Sequence, residues 1–194
     1  MSNPTYGLIV EGPYDQAMYE ALIPRICGRK LSFETLLCEG KDRLRKNFPS
    51  FLRILEKILL GRPVDKALVV RDSGGKDPAA VETDMAHRIS GRAYAFTRGV
   101  QLCIVQRTME TWLLADAQAI NSVAAERGGR RIQDVQGTLE DVQDPKKELQ
   151  SVLSEARLEY TTVVCAEIAS HLRIDHLEYR CPSFRSFRQN AIDC

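Results

Sequence analysis

Two short apolar runs, each closed by a carboxylate, stand out along the chain: Gly7-Leu8-Ile9-Val10-Glu11-Gly12 and Ala67-Leu68-Val69-Val70-Arg71-Asp72. Aliphatic runs of this length, bounded by Gly or Pro, read as strands buried on both faces, the habit of a parallel sheet. Leu31 to Cys38, of mixed polarity, predicts a second strand nearer a sheet edge, and residues 101–106 hold a fourth. Between these runs the apolar spacing changes to a helical period. Tyr14, Met18, Ala21, Leu22 and Ile26 share one stripe, with Pro13 at the first helical position and Asp15 in the first turn. Pro24 is expected to bend or shorten this helix. After a Glu39-Gly40-Lys41-Asp42 turn, Leu44, Phe48, Phe51, Leu52, Leu55, Ile58 and Leu59 form a second stripe. Pro49 is expected to split it, and Gly61 and Pro63 to stop it. A third helix is predicted from Ala79 to Ser90. A long one runs from Met109 to about Glu126, ended by Gly128 and Gly129. The order β-α-β-α-β-α-β-α predicts an α/β fold, a parallel sheet with helices on both faces.

Beyond residue 130 the pattern is helical. Asp144-Pro145 reads as a cap followed by Pro at the first position. Helices are expected over Lys147 to Arg157 and Val163 to Leu172, and the Cys181-Pro182-Ser183-Phe184 stretch opens a short final one. The expected organisation is an α/β domain over 1–130 and a helical extension over 131–194 packed on the same domain. At 194 residues the chain is long enough for one such domain with a sizeable core.

Composition narrows the partners. The net charge of +1 excludes a polycation, so any surface for nucleic acid is local. Basic residues gather at Lys41, Arg43, Arg45 and Lys46, and again at Arg127, Arg130 and Arg131, and a solvated face is the first reading of each. The cysteines form no C-x-x-C pair and no signal-peptide pattern opens the chain, so reduced thiols in a cytoplasmic protein are expected. The three histidines, His87, His171 and His176, do not match zinc-finger spacing. No stretch approaches the roughly 18 apolar residues of a membrane span, so no membrane partner is expected.

In open α/β sheets, ligands bind outside the carboxyl ends of the strands. Glu11 and Asp72 both fall there, and Mg²⁺ or Mn²⁺ takes oxygen ligands, commonly one or two carboxylates with substrate phosphates. Glu11 suits a general acid or base, or a ligand; its plainer role is to accept backbone N–H groups of the next turn. Asp15 reads first as support for its helix start and second as a ligand. Asp77, beyond the Gly74-Gly75 turn, either folds back as a second ligand or caps the next helix, since Asp-Pro-Ala-Ala is a good helix opening. Glu110 opens a helix after the fourth strand and is expected to face the same edge. Asp116 reads as a helix-surface or hydrogen-bonding residue. Gly12, Lys41, Arg71 and Lys76 are the candidate substrate-binding residues. Gly12 lets a backbone approach a ligand, and Lys76 is either a phosphate contact or an exposed loop lysine. No G-x-G-x-x-G or Walker loop is present, no G-x-S-x-G elbow occurs, and Ser73 has no obvious His partner.

Glu11-Gly12-Pro13-Tyr14-Asp15 resembles the E-G-x-x-D opening of the Toprim domain, the metal-dependent module of topoisomerases, bacterial primases and OLD-family nucleases. Val69-Val70-Arg71-Asp72 resembles the start of that family's second motif, D-x-D, with Gly74 where the second Asp stands. The whole chain is similar to a bacterial family of unknown function with Toprim-like character. That likeness rests on Gly40-Lys41, on Glu110-Thr111-Trp112-Leu113-Leu114-Ala115-Asp116, on Pro145-Lys146-Lys147 and on Cys181-Pro182-Ser183-Phe184.

The resemblance implies a Rossmann-like central parallel sheet of four strands flanked by helices, with a C-terminal helical extension. It also implies a Mg²⁺-dependent phosphodiesterase, a nuclease acting on DNA or RNA. Glu11 and Asp72 would be catalytic, and Glu11, Asp72, Asp77 and Glu110 would surround the metal. Such proteins are similar to small effectors found beside an AAA- or ABC-type ATPase in phage-defence loci. The alternative is a catalytically degenerate binding or regulatory subunit of such an ATPase, because Gly74 removes one expected ligand. A third reading is a nucleotide- or phosphoryl-handling enzyme on the same scaffold. An exposed strand edge favours a homodimer.

Overall fold

The computed structural model describes residues 3–57 and 63–192. Its first part alternates strand and helix: β1 (Thr5–Val10), α1 (Pro13–Cys27), β2 (Ser32–Leu37), α2 (Lys41–Lys57), β3 (Lys66–Asp72), α3 (Pro78–Ile89) and β4 (Val100–Val105). The strands form one parallel sheet in the order β2-β1-β3-β4. Leu8 of β1 lies between Thr35 of β2 and Leu68 of β3. The fold is α/β and Rossmann-like.

Alternation along each strand divides the core in two. Tyr6, Leu8 and Val10 join Leu68, Val70, Cys103 and Val105 on one face. Ile9, Ala67 and Val69 point to the other, where they meet Phe48, Leu52 and Leu55 of α2 and Val81 and Met85 of α3. Gly7 lets α2 lie close against the sheet: a Cβ there would stand 2.7 Å from Leu55 Cδ1.

The remaining helices are α4 (Glu110–Leu114), α5 (Ala117–Glu126), α6 (Pro145–Glu155), α7 (Thr162–His171), α8 (Ile174–Arg180) and α9 (Phe184–Ile192), with a 3₁₀ turn at Leu139–Asp141. They extend the core instead of forming a second one. Helix α7 packs on α1 and α5, and α9 packs on β4 and α1. Trp112 is surrounded by Phe187 at 4.9 Å, Phe184 at 5.0 Å and Tyr19 at 6.2 Å between ring centroids. One apolar cluster thus spans both sides of residue 130.

The structure departs from three local expectations. Helix α1 continues three residues past Pro24 to Cys27 and is capped by Gly28 in the left-handed conformation (φ 62°). Leu22, Ile23 and Ile26 are buried on both sides of the proline, and Arg25 Nη1 donates to the carbonyls of Ala169 and Leu172. Helix α2 likewise runs unbroken through the buried Pro49, because Leu44, Phe48, Leu52 and Leu55 form one buried stripe. The Ile58, Leu59 and Gly61 end of that stripe lies outside the described residues. The long helix expected from Met109 to Glu126 is two helices, parted by Asp116. Its backbone there is non-helical (φ −131°, ψ 87°), and its side chain accepts from Gln118 N and Ala119 N, the competition with helix that a short acidic side chain offers. Helix α8 and the 3₁₀ turn carry no clear periodicity in the sequence. Among the described residues, no helix is long and apolar enough to cross a membrane.

Candidate functional site

Strands β1 and β3 are neighbours, but the chain leaves them in opposite directions. Helix α1 carries it from β1 to β2, and α3 carries it from β3 to β4 on the other face. At such a reversal a crevice opens beyond the carboxyl ends of the strands. A cavity of about 260 Å³ lies there, and its lining includes the acids Glu11, Asp15, Asp72 and Glu110. Three elements deliver them: the β1–α1 junction, the tip of β3, and the start of α4.

Glu11, Asp15 and Glu110 each accept a hydrogen bond. Glu11 Oε1 accepts from Asp72 N at 3.3 Å, which bridges the two strand tips. Asp15 Oδ2 accepts from Gly12 N at 3.0 Å, closing the first turn of α1. Glu110, 6% exposed, accepts from the Tyr160 hydroxyl at 2.7 Å. Gly40 N donates to Glu11 O at 3.0 Å, and its left-handed backbone (φ 117°) makes the turn into α2.

Burial and mutual repulsion shift the proton affinities. Burial pushes the Glu11 carboxyl up, opposed by the Asp72 N–H and by the charges of Arg71 and Lys41. Asp15 is pushed up to about 7, by burial first and then by Glu11 and Glu110. Asp72 lies well above the carboxylate range, by burial and then by Asp15, Glu11 and Glu110. Like charges crowded in a partly dry crevice give this pattern. Tyr19, buried in the core, has its phenol pushed upward by burial and then by these acids, and its hydroxyl has no partner among the described residues.

Aromatic and basic residues share the lining. Tyr14 and Tyr160 stack at 4.6 Å with planes 6° apart, and Lys146 Nζ lies 5.8 Å and 5.4 Å from their centroids. Thr108 also lines the cavity, and its Oγ1 is buried with no hydrogen-bond partner among the described residues. An oxygen-only donor set, with an orphaned hydroxyl beside it, suits a hard divalent cation. Among the described residues, no three Asp, Glu, His or Cys side chains stand close enough to hold a metal as they are placed.

The structure brings Glu11, Gly12, Asp72 and Glu110 together, as the sequence suggests. Asp77 stays outside this cavity. It is exposed and caps α3, accepting from Ala79 N at 3.1 Å, so of its two readings the structure displays the cap. Asp15, read from sequence first as a helix support, is both that support and a wall of the cavity. Lys41 reaches toward the β3 exit loop, its Nζ 3.4 Å from where a Gly74 Cβ would stand. Arg71 and Lys76 line a separate pocket on the other face of the sheet. Asp116 is fully buried and paired with Arg173 at 2.7 Å. Tyr160 and Thr108 were not legible from the sequence. The Pro145-Lys146-Lys147 motif was the only signal that the extension reaches this wall.

A family model described as Domain of unknown function (DUF4276) matches residues 10–190. No curated protein and no solved structure matches the chain.

Proposed function

We propose that this chain, which belongs to the DUF4276 family, is a Mg²⁺-dependent phosphodiesterase, a nuclease of Toprim type acting on DNA or RNA. The carrying observation is that Glu11, Asp15, Asp72 and Glu110, from three separate elements, line one cavity at the sheet's carboxyl edge. The E-G-x-x-D resemblance supports the same reading. These four carboxylates would hold Mg²⁺ or Mn²⁺. When bound, the ion would stabilise charge on a phosphate and orient an attacking water. Glu11 would act as general acid or base or as a further ligand: its Oε1 accepts from Asp72 N–H, leaving Oε2 for either role. Lys146 and the Tyr14–Tyr160 stack give the cavity a cationic, aromatic wall that suits a nucleotide. A cytoplasmic setting, a homodimer through the β2 edge, an AAA- or ABC-type ATPase partner and a role in phage defence complete the proposal.

Cleavage of labelled DNA and RNA is the test. Glu11→Gln and Asp72→Asn are expected to abolish Mg²⁺-dependent cleavage and leave the circular dichroism spectrum unchanged. Variants that cut as well as the parent overturn the reading.

One observation favours the alternative, a degenerate binding or regulatory subunit. Gly74 occupies the position of the second motif Asp in a left-handed conformation (φ 60°), with Lys41 Nζ close to where its Cβ would be. Calorimetry and thermal melts separate the two: no binding of Mg²⁺ or Mn²⁺ and no protection from unfolding favour the subunit.

A further inference from the structure

Arg71 and Asp72 are consecutive residues of β3, so their side chains leave the sheet on opposite faces. Asp72 faces the acid cavity. Arg71 lines a second pocket of about 260 Å³ with Lys76, Arg45, Asp42 and Asp84, closed by the first turns of α3. Arg71 is 5% exposed, and its Nε is buried with no hydrogen-bond partner among the described residues. A buried guanidinium N–H without an acceptor is costly unless a ligand supplies one. The pocket's own acids do not serve it. Asp84 is committed to Arg45, through two bonds of 2.7 Å, and to Arg88 at 3.3 Å. Asp42 is the one remaining carboxylate of the lining, set against both Arg71 and the exposed Lys76. The charge of Arg71 acts on Glu11, the acid that bridges the two strand tips, so the basic pocket and the acid cavity are electrostatically joined.

We propose that the Arg71–Lys76 pocket is a phosphate subsite, taking a substrate phosphate next to the one addressed at the acid cavity. The planar fork of a guanidinium matches two phosphate oxygens, and a loop lysine adds a mobile point charge. The inference rests on the phosphodiesterase reading for the word substrate, but binding at the pocket is measured without catalysis. A strand crossing the carboxyl rim of the sheet would set one phosphate on each face.

The test is fluorescence anisotropy of a fluorescein-labelled single-stranded oligonucleotide titrated with the full-length protein in EDTA. Arg71→Gln is expected to weaken binding by roughly tenfold to a hundredfold. Lys76→Ala is expected to lower the slope of log affinity against log salt by about 0.7. Lys76 is exposed, so its variant folds even if Arg71→Gln does not. Inorganic phosphate is expected to displace the strand. A mononucleotide that competes as well as the strand assigns the subsite to a nucleotide phosphate, and a much weaker one assigns it to a polynucleotide; either supports the subsite. Equal binding by the parent, Arg71→Gln and Lys76→Ala overturns it, as does a parent that binds neither strand nor phosphate. Asp72→Asn keeps the two readings apart. If it abolishes cleavage while Arg71 and Lys76 are irrelevant to binding, only the subsite falls. If binding depends on Arg71 and no protein cleaves, the subsite stands and the enzyme falls.

Discussion

The Tyr160 hydroxyl donates to Glu110 Oε1 at 2.7 Å, and this bond ties the helical extension to the acid cavity. Glu110 is almost fully buried, so its carboxylate depends on such a donor. Tyr160→Phe keeps the stack on Tyr14 and removes the donor. It is expected to cost about 1–3 kcal/mol in urea unfolding. Tyr160→Leu, which also loses the stack, is expected to cost more. A phenylalanine variant as stable as the parent would show that Glu110 does not use this bond.

The acid cavity makes stability depend on pH in a set direction. Asp15 has a folded pKa of about 7 against an ordinary 3.8, and Asp72 is raised in the same sense. The folded protein therefore holds protons that the unfolded chain releases. The stability this lends is complete below the ordinary value and is lost as pH rises through the folded one. Thermal melts in EDTA are expected to fall in Tm between about pH 4 and about pH 7. Acids with lowered pKa, such as Asp116, act in the opposite sense only toward and below the lower end of that window. Mg²⁺ is expected to raise the upper end and flatten the slope, since it binds the ionised form. Asp15→Asn should remove part of the slope, gaining roughly 2–4 °C per kcal/mol relieved. A Tm independent of pH and of Mg²⁺ across this window would remove the case for crowded carboxylates.

The sheet was legible because its central strands bury both faces, and a run such as Leu8-Ile9-Val10 has little else to become. Glu11 and Asp72 were legible for a related reason: an acid at the end of such a run must emerge at the rim. Pro24 does not end its helix and Pro49 does not split its own, because a proline's local cost is small beside the apolar residues buried on both sides of it. Of the two readings of Asp116 the structure displays the hydrogen-bonding one; its burial and its tie to Arg173, far along the chain, have no periodic signature. Tyr160 could not be found at all, since only the packing of the extension brings it to Glu110.

Asp116 and Arg173 make a second test of how the extension is held. Asp116 is fully buried; Arg173 is nearly half exposed and reaches it through both Nε and Nη2, while Arg173 N adds a bond of 2.9 Å. Arg173→Ala leaves the carboxylate with its backbone donors alone and is expected to cost roughly 2–3 kcal/mol. Asp116→Ala also removes the cap of α5 and is expected to cost about 1 kcal/mol more. Denaturant unfolding with near- and far-ultraviolet probes checks both. Equal stability of Arg173→Ala and the parent would show that the guanidinium is ornamental.

Ser73 offers the sharpest contrast between metal-dependent chemistry and a serine nucleophile. It is 4% exposed, and its Oγ accepts from Arg107 N at 3.0 Å while Ser73 N donates to Val105 O at 2.8 Å. Gly74 N returns a bond to Arg107 O at 3.1 Å, so the exits of β3 and β4 are clasped together. Arg107 holds a left-handed backbone (φ 64°) within this clasp, a conformation that needs such support. A buried hydroxyl that already serves as an acceptor in a turn is a poor nucleophile. Ser73→Ala is expected to lower stability by about 1 kcal/mol, because Arg107 N loses its acceptor. Its Mg²⁺-dependent cleavage is expected to stay within a few-fold of the parent. A fall to background, with the melting temperature little changed, would place the chemistry on Ser73 and take it away from Glu11 and Asp72.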